Sequence, residues 1–246
     1  MDIDFYGNTC VGSSNVNGDV FYISSDHKVY LLADGASGAG NDGKVLMGKI
    51  CIEIIENFEY DSTKLNAKEY IDQLFWKINN RLIETSQYFK KLVFGTLNLA
   101  VVDDDILTIT TLGDSPAFYY NGVEINRVAK NKKQYEWMID AGYITKQQYE
   151  GYISQMHEMM QCCFDYYVPQ IVPNNVIEQY PIKPNNILVL CSDGLSDYIS
   201  SNDIIRSIQT KGLKDGIDDL ILKAKDIALG KQNYFDDITV VAIKIV

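Results

Sequence analysis

The sequence has very little histidine: only His27 and His157 occur among its 246 residues. A Ser-His-Asp or Cys-His triad needs a histidine beside a nucleophile, and neither of these two lies next to a plausible nucleophile in the sequence. Cysteine is also scarce, and none of the five cysteines belongs to a Cys-x-x-Cys pair of the kind that holds structural zinc. Histidine-based catalysis and structural zinc are therefore both disfavoured.

Long apolar runs and basic clusters are absent as well. No stretch approaches the roughly 18 consecutive apolar residues of a membrane-spanning helix, and the acidic start MDIDFYGNTC does not match a signal sequence. We therefore expect no membrane insertion and a cytoplasmic protein. Lys and Arg do not cluster, and the formal net charge is −11, so we expect no nucleic-acid partner.

Proline and linker-like composition are scarce too, which bears on the domain organisation. Only five prolines occur, and no Ser/Pro/Gly-rich stretch interrupts the chain. We therefore expect a single domain over residues 1–246. The acidic excess has two explanations: net negative charge favours solubility, or part of the charge surrounds a cation site.

What the sequence does contain is a series of apolar runs in groups, separated by helical periodicity. DVFYIS and KVYLLAD predict a hairpin, and TLNLAVVD, DILTITTLGD and PAFYYNGVEINRVA predict an antiparallel meander. VIEQYPI, NILVLCSD and ITVVAIKIV predict further strands, and helices are predicted over 44–58, 67–89, 132–161, 202–209 and 216–229. Because short connections join the strands and the helices come in pairs, we expect an α+β fold of antiparallel sheets covered by helical layers.

Acidic residues stand where several of these strands begin or end. The set comprises Asp19, Asp34, Asp114, Asp193, Asp236 and Asp237. Charges at the edge of apolar runs are costly unless they are paired or bound to a cation, and few Lys or Arg residues stand at matching positions. Carboxylates without histidine or cysteine partners suit hard divalent ions such as Mg²⁺ and Mn²⁺. The pattern therefore indicates a divalent-metal site.

Two of these acids, Asp34 and Asp193, are each followed by glycine. A glycine lets the backbone approach closely, so that the carbonyl of Gly35 could serve as a further oxygen ligand. Two ions about 3.5–4 Å apart can share a carboxylate and lower the pKa of a bridging water, which then attacks a phosphate in line. The alternative is that each Asp-Gly pair is only a turn, because this dipeptide is common in turns.

Five stretches in fixed order then carry a family resemblance: LLADGASG, FGTLNLAVV, LTITTLGDSPAFYY, LVLCSDGLSDYIS and FDDITVVAI. With these motifs the chain resembles the metal-dependent Ser/Thr protein phosphatases, the type 2C or PPM family, in their bacterial form. NKKQYEWMIDAGYITKQQYEGY is similar to the flap segment of bacterial members, which we place at about 130–165. The resemblance covers residues 19–246 and implies a four-layer αββα sandwich, with two antiparallel sheets flanked by paired helices.

The resemblance also implies two, or with a third position three, Mn²⁺ or Mg²⁺ ions. The implied ligands are Asp19, Asp34, the Gly35 carbonyl, Asp114, Asp193 and Asp236. Asp34 would bridge both ions, Asp193 and Asp236 would bind the first, and Asp19 would support the second. Asp114 would join Asp193 at the third position. Asp34, Asp193 and Asp236 would thus be central to catalysis, with a metal-bridged hydroxide as the nucleophile.

Several positions depart from the family pattern, mostly where substrate phosphate binds. The stretch GSSNVNGD lacks the usual arginine before the first acid, GDSR has become GDSP at Pro116, and DN has become DD at Asp237. The flap lacks the usual Asp-His-Ser and has Lys-Asn-Lys at 130–132. Lys44, where the family often has an acid, is a candidate replacement for the phosphate-binding cation. It could equally be a solvated lysine at the start of a helix.

The resemblance implies a phosphatase of phosphoserine and phosphothreonine in proteins phosphorylated by a Ser/Thr kinase, and we expect it to be a monomer. The missing arginines leave a second hypothesis open, a weak or inactive pseudophosphatase that acts as a binding or regulatory module. A third is a metal-dependent phosphatase of small molecules or nucleotides, because the metal site hardly constrains the leaving group.

Overall fold

The computed structural model describes residues 2–91, 93–128 and 177–246, together with residues 145 and 147. The predicted flap at 130–165, the predicted helix over 132–161, His157 and the Cys162–Cys163 pair lie outside these residues.

Strands in the described residues form two antiparallel sheets. In chain order they are β1 (Ile3–Cys10), β2 (Asp19–Ile23), β3 (Val29–Gly35), β4 (Gly95–Asp103), β5 (Ile106–Leu112), β6 (Ala117–Tyr120), β7 (Ile125–Arg127), β8 (Glu178–Pro181), β9 (Ile187–Cys191) and β10 (Ile238–Ile245). Sheet 1 has the order β2-β3-β4-β5-β8, and sheet 2 has the order β1-β10-β9-β6-β7. Every neighbouring pair is antiparallel.

Helices cover the outer face of each sheet. They are a 3₁₀ turn (Ser37–Ala39), α1 (Gly40–Glu56), α2 (Ala67–Phe89), α3 (Asp193–Ser196), α4 (Ser201–Lys211) and α5 (Leu213–Gln232). Helices α1 and α2 pack on sheet 1, and their apolar residues share a core with β3 and β4. Helices α4 and α5 share a second core with β9 and β10. A third core lies between the sheets, where Tyr30 and Leu32 of sheet 1 meet Leu188 and Val241 of sheet 2.

Local sequence signals explain where the longer helices begin. Helix α2 starts at a capping box, in which the Asn66 side chain accepts from the Glu69 N–H and the Glu69 carboxylate accepts from the Asn66 N–H. Helix α4 starts at Ser200, whose hydroxyl accepts from the Asp203 N–H at 3.2 Å. Apolar residues at helical spacing then bury one face of each helix.

The predicted four-layer αββα arrangement is confirmed, and several details of the sequence prediction are corrected. The hairpin of β2 and β3 is present. The predicted meander is divided, because β4 and β5 pair in sheet 1 whereas β6 and β7 belong to sheet 2. Strand β1 and the short helix α3 were not expected, and α1 begins at Gly40, four residues earlier than predicted. In the described part of the chain, no helix is long and apolar enough to cross a membrane.

Candidate metal centre

Sheet 1 places two of the acids side by side. Asp19 begins β2 and Asp34 lies near the end of β3, and the antiparallel register makes them direct cross-strand partners. Asp34 faces Thr96 of β4 on its other side. Cross-strand partners have Cβ atoms about 4.5–5.5 Å apart, so the pairing brings two carboxyl groups to one edge of the sheet.

Sheet 2 places two more acids at the ends of neighbouring strands. Asp193 follows β9, and Asp236 precedes β10, the antiparallel neighbour of β9. Hydrogen bonds between Ser192 and Thr239 connect the end of β9 to the start of β10. The Ser192 N–H donates to the Thr239 carbonyl at 3.0 Å, and the Thr239 N–H donates to Ser192 Oγ at 2.9 Å. The ends of β9 and β10 therefore meet where Asp193 and Asp236 stand.

The glycines after Asp34 and Asp193 are required by close backbone contacts and not by turns. Gly35 is the last residue of β3 and Gly194 lies in helix α3, and neither is among the described glycines with positive φ. A Cβ on Gly35 would collide with the Lys44 backbone, and one on Gly194 would collide with the Asp237 carbonyl. The interpretation of these two pairs as mere turns is therefore wrong.

Asp34 lies at the centre of the electrostatic interactions among the acids. Burial raises its pKa well above the ordinary value, and the negative charges of Asp19, Asp236 and Asp114 raise it further. Ser115 donates a hydrogen bond to Asp34 Oδ2 at 3.2 Å. Ser115 in turn accepts one from Thr96 Oγ1 at 2.7 Å, so two hydroxyls orient the Asp34 carboxyl group.

Asp193 and Asp114 belong to the same electrostatic group. Burial raises the pKa of Asp193 well above its ordinary value, with Asp34, Asp114 and Asp236 adding to the effect. Burial also raises the pKa of Asp114. Because these carboxyl groups act on one another across both sheets, the structure brings Asp34, Asp114, Asp193 and Asp236 to one region.

Asp19 is buried, and one of its carboxylate oxygens has no hydrogen-bond partner among the described residues. Its side chain is 4% exposed, and the oxygen without a partner is Oδ2. Burial raises the pKa of Asp19 to about 7, and the Asp237 charge adds to this, whereas the Thr239 and Ser192 hydroxyls lower it in part. A buried carboxylate oxygen without a donor is costly, and a bound cation would satisfy it.

Lys44 is buried and ion-paired, so the interpretation of it as a solvated lysine at a helix start is wrong. Its Nζ lies 2.9 Å from Asp237 Oδ2 and donates to Ser14 Oγ at 3.0 Å. Asp237 also accepts from the Gly12 N–H at 2.7 Å and the Gly18 N–H at 2.8 Å. The ion pair thus connects two positions at which the sequence departs from the PPM pattern, Lys44 and Asp237. The role of Lys44 in binding phosphate stays a prediction.

Three residues of this region were missed in the sequence analysis. Asp197 lies one helical turn after Asp193, and its carboxylate acts on the pKa of both Asp193 and Asp114. The signal was the SDGLSD spacing, which puts two acids four residues apart on one face. Ser115 was visible as part of GDSP. The Arg127 guanidinium, which donates to the Asp114 carbonyl at 3.5 Å, lies on β7 and had no signal in the sequence.

The chemistry of the candidate ligands fits Mg²⁺ or Mn²⁺. All candidate ligands are oxygen atoms, the acids raise one another's pKa values, and the Asp19 Oδ2 atom is buried without a donor. Within residues 2–91, 93–128 and 177–246, no group of three or more His, Cys, Asp or Glu side chains is arranged so that it could hold a metal ion as it stands. Mg²⁺ can be held by fewer protein ligands, because it keeps several waters and is bound through one or two carboxylates.

Solved structures with the same fold include bacterial Ser/Thr phosphatases. The Mycobacterium tuberculosis phosphatase PstP/Ppp is 19% identical, with a TM-score of 0.76, and the match covers 99% of this chain and 98% of that one. The PstP catalytic domain, solved with two manganese ions, is 20% identical with a TM-score of 0.76 and the same coverages. Stp1 from Staphylococcus aureus is 21% identical, with a TM-score of 0.73 and coverages of 100% and 96%.

These structural matches confirm the expected fold. No protein-family model and no curated protein matches the sequence. The similarity to these structures is therefore strong in the backbone and weak in the amino-acid sequence.

Proposed function

We propose that this chain is a divalent-metal-dependent phosphatase of the PPM family that hydrolyses phosphoserine and phosphothreonine in proteins. The observation that carries the proposal is the meeting of Asp34, Asp114, Asp193 and Asp236, with Asp19 beside them, at the strand ends of both sheets. The fold shared with bacterial Ser/Thr phosphatases supports it.

In this proposal the role of each acid follows from its position in the two sheets. Asp34, with carboxyl neighbours from both sheets, would help to hold the ions, together with Asp193 and Asp236 from sheet 2. Asp19 would bind an ion through its unsatisfied Oδ2 atom. Asp114 would contribute beside Asp193. When bound, the cations would lower the pKa of a water so that hydroxide is available near neutral pH.

The other residues of the site would position these acids and the substrate. Ser115 fixes the orientation of Asp34 through its hydrogen bond. Asp237, just before β10, accepts from the N–H groups of Gly12 and Gly18 and pairs with Lys44 of α1. Arg127 would bring a positive charge to the phosphate, because its guanidinium lies beside Asp114 and is exposed to solvent.

Two observations favour a second candidate, a binding module without turnover. The Lys44 charge is already neutralised by Asp237, and the arginines that the family uses for phosphate are absent from GSSNVNGD and GDSP. A charge-assisted hydrogen bond contributes on the order of 1.5–3 kcal/mol, so losing the clamp would weaken substrate binding severely. Such a module would still bind metal.

The test is hydrolysis of p-nitrophenyl phosphate with Mn²⁺, Mg²⁺ or EDTA, together with Mn²⁺ titration by calorimetry. We expect activity that requires the metal and is lost in Asp193→Asn. Asp219→Asn removes the same charge from an exposed pair with Lys211 and should leave activity unchanged. Tight Mn²⁺ binding without hydrolysis would support the binding module instead. Activity that persists in EDTA would refute the proposed mechanism.

The class of substrate needs a separate comparison. Phosphoserine and phosphothreonine peptides should be hydrolysed with higher kcat/KM than nucleoside monophosphates and sugar phosphates. The reverse order would assign the chain to the phosphatases of small molecules, with the same metal chemistry.

A further inference from the structure

A cavity outside the candidate metal centre lies between the β2–β3 hairpin and the segment that joins α1 to α2. It has a volume of about 190 Å³, and Tyr22, Tyr60 and Tyr70 form its aromatic walls. Tyr22 is three residues beyond Asp19 along β2, which corresponds to ~10 Å at about 3.3 Å per residue. The cavity is therefore separate from the candidate metal centre.

Two of the tyrosine rings are held in fixed positions. The Tyr60 hydroxyl donates to Asp103 Oδ2 at 2.9 Å, and the Tyr70 hydroxyl donates to the Phe58 carbonyl at 2.9 Å. The Tyr60 and Tyr70 rings lie 5.1 Å apart and are tilted by 58°. Because both hydroxyls are engaged, these rings form a rigid corner of the cavity.

The mouth of the cavity is negatively charged. Asp26 and Glu59 line it, and both are exposed. In the part of the chain that the structure describes, neither carboxylate forms an ion pair, and the nearby Lys28 is engaged with Asp103 at 3.0 Å. Burial raises the pKa of the Tyr22 hydroxyl, and the carboxylates of Glu56, Glu59 and Asp26 raise it further, as expected beside concentrated negative charge.

The same aromatic cluster already holds a cation of the chain itself. Phe58 stacks on Tyr70 with ring centroids 5.3 Å apart and an interplanar angle of 14°. The Lys77 ammonium lies 4.7 Å from the Phe58 centroid, within the distance of a cation–π interaction. An ammonium group therefore already binds to this aromatic cluster, of which Tyr70 also lines the cavity.

We propose that this cavity binds a primary alkylammonium group. Tyrosine rings attract cations through their faces, and Asp26 and Glu59 supply the opposite charge at the mouth. An apolar cavity of about 150 Å³ holds benzene, so the space suits a short alkylammonium chain and is too small for a nucleotide. The ammonium can come from a free amine or from a lysine side chain of another polypeptide, since both present the same chemistry.

The test is an NMR titration of the full chain with n-butylammonium chloride, following the backbone amides of Tyr22, Lys28 and Tyr60. We expect saturable shifts confined to these amides and their neighbours, and none with n-butanol or with sodium chloride at matched concentrations. N-acetyl-lysine methylamide then separates the two sources: binding at least as tight as that of butylammonium indicates a peptide-borne lysine, and weaker binding indicates a free amine.

Two variants and one matched control test the assignment. Glu59→Gln should weaken butylammonium binding by about fivefold or more, and Tyr22→Leu, which keeps an apolar wall but removes the ring, should do the same. Glu53→Gln removes the same charge from an exposed position on α1 and should leave the affinity unchanged. Equal effects of Glu59→Gln and Glu53→Gln, equal shifts with butanol, or no cavity shifts at all would overturn the proposal. Neither phosphate hydrolysis nor metal enters this experiment.

Discussion

Lys44 and Asp237 face each other inside the protein, where their side chains are 3% and 4% exposed. Removing one member of a buried ion pair leaves the other charge without a partner and costs about 3–5 kcal/mol. Lys44→Met should lower the free energy of unfolding by that amount, measured in urea. Lys91→Met breaks an exposed pair with Asp42 and should have no measurable effect. Similar losses in the two variants would contradict this account.

A second prediction at the scale of the residue concerns Ser115, which is buried and donates to Asp34. Hydrogen bonds that orient a metal ligand affect metal affinity by about 10–100-fold. Ser115→Ala should therefore weaken Mn²⁺ binding by about tenfold in calorimetry, with the fold retained. Ser207→Ala removes a hydroxyl that bonds the Gly216 carbonyl and should leave Mn²⁺ affinity unchanged. Unaltered affinity in Ser115→Ala would show that the hydrogen bond does not serve the site.

A site residue could be predicted only where the residues next to it in the sequence indicate its role. The acids were found because each stands next to an apolar run, and the run itself indicates a buried strand. The partner of Lys44 could not be found, because Asp237 lies 193 positions away and only the sheet arrangement brings the two together. Arg127 is only 13 positions from Asp114, but no motif of the sequence marked it as part of the site.

Among the elements, the short helix α3 depends on a glycine at its second position. A Cβ on Gly194 would collide with the Asp237 carbonyl. Gly194→Ala should destabilise the protein by about 1–3 kcal/mol in urea unfolding, because the neighbouring backbone must move.

The control for this variant is Gly230, which also lies in a helix but has open space around it. Gly230→Ala should stabilise the protein by about 0.5–1 kcal/mol, since alanine loses less backbone entropy in a helix. The decisive result is that the free energy of unfolding falls in Gly194→Ala and rises in Gly230→Ala. A stabilised Gly194→Ala variant would mean that the Gly194 contact is not tight.

The elements themselves were predictable where periodicity is strong, as in α2, which the pattern placed at its observed bounds of Ala67–Phe89. Strand β1 was missed because its residues are mostly half-buried and the sequence IDFYGNTC lacks regular alternation. The division of the meander was missed for a different reason. Alternation shows which residues of a strand are buried, but it carries no information about which sheet the strand joins.

For the whole molecule, the buried acids predict an unusual dependence of stability on pH. The folded pKa of Asp19 is about 7, and those of Asp34 and Asp193 are also raised, whereas the unfolded chain has values near 3.9. Between about pH 4 and 7 the folded state therefore binds more protons than the unfolded state. Stability of the metal-free protein should fall as pH rises through this window.

Thermal unfolding in EDTA at pH 5.5 and pH 8 measures this effect. The melting temperature should be lower at pH 8, and the difference should shrink in Asp19→Asn but not in Asp219→Asn. Saturating Mn²⁺ should raise the melting temperature more at pH 8 than at pH 5.5, because the ligands must be deprotonated. A metal-free protein that is more stable at pH 8 would contradict the raised pKa values.

The layered architecture of the whole molecule was predictable, because the grouping of strands and paired helices and the order of the motifs indicate the same fold. The way the layers share the site was not visible in the residues alone. Asp19 and Asp34 belong to sheet 1, whereas Asp193 and Asp236 adjoin sheet 2. Spacing along the sequence says nothing about how closely two sheets approach.

The pairing of β1 with β10 has a consequence for how the chain folds. Ile3 faces Ile245 and Cys10 faces Ile238, so sheet 2 joins segments from opposite ends of the sequence, whereas β2, β3, β4 and β5 of sheet 1 are joined in sequence order. Pairing between distant segments is slow, because loop-closure entropy is lost before contacts form. Sheet 1 with α1 and α2 should therefore form first in refolding, and Asp236 should join the other acids only in the last, slowest phase.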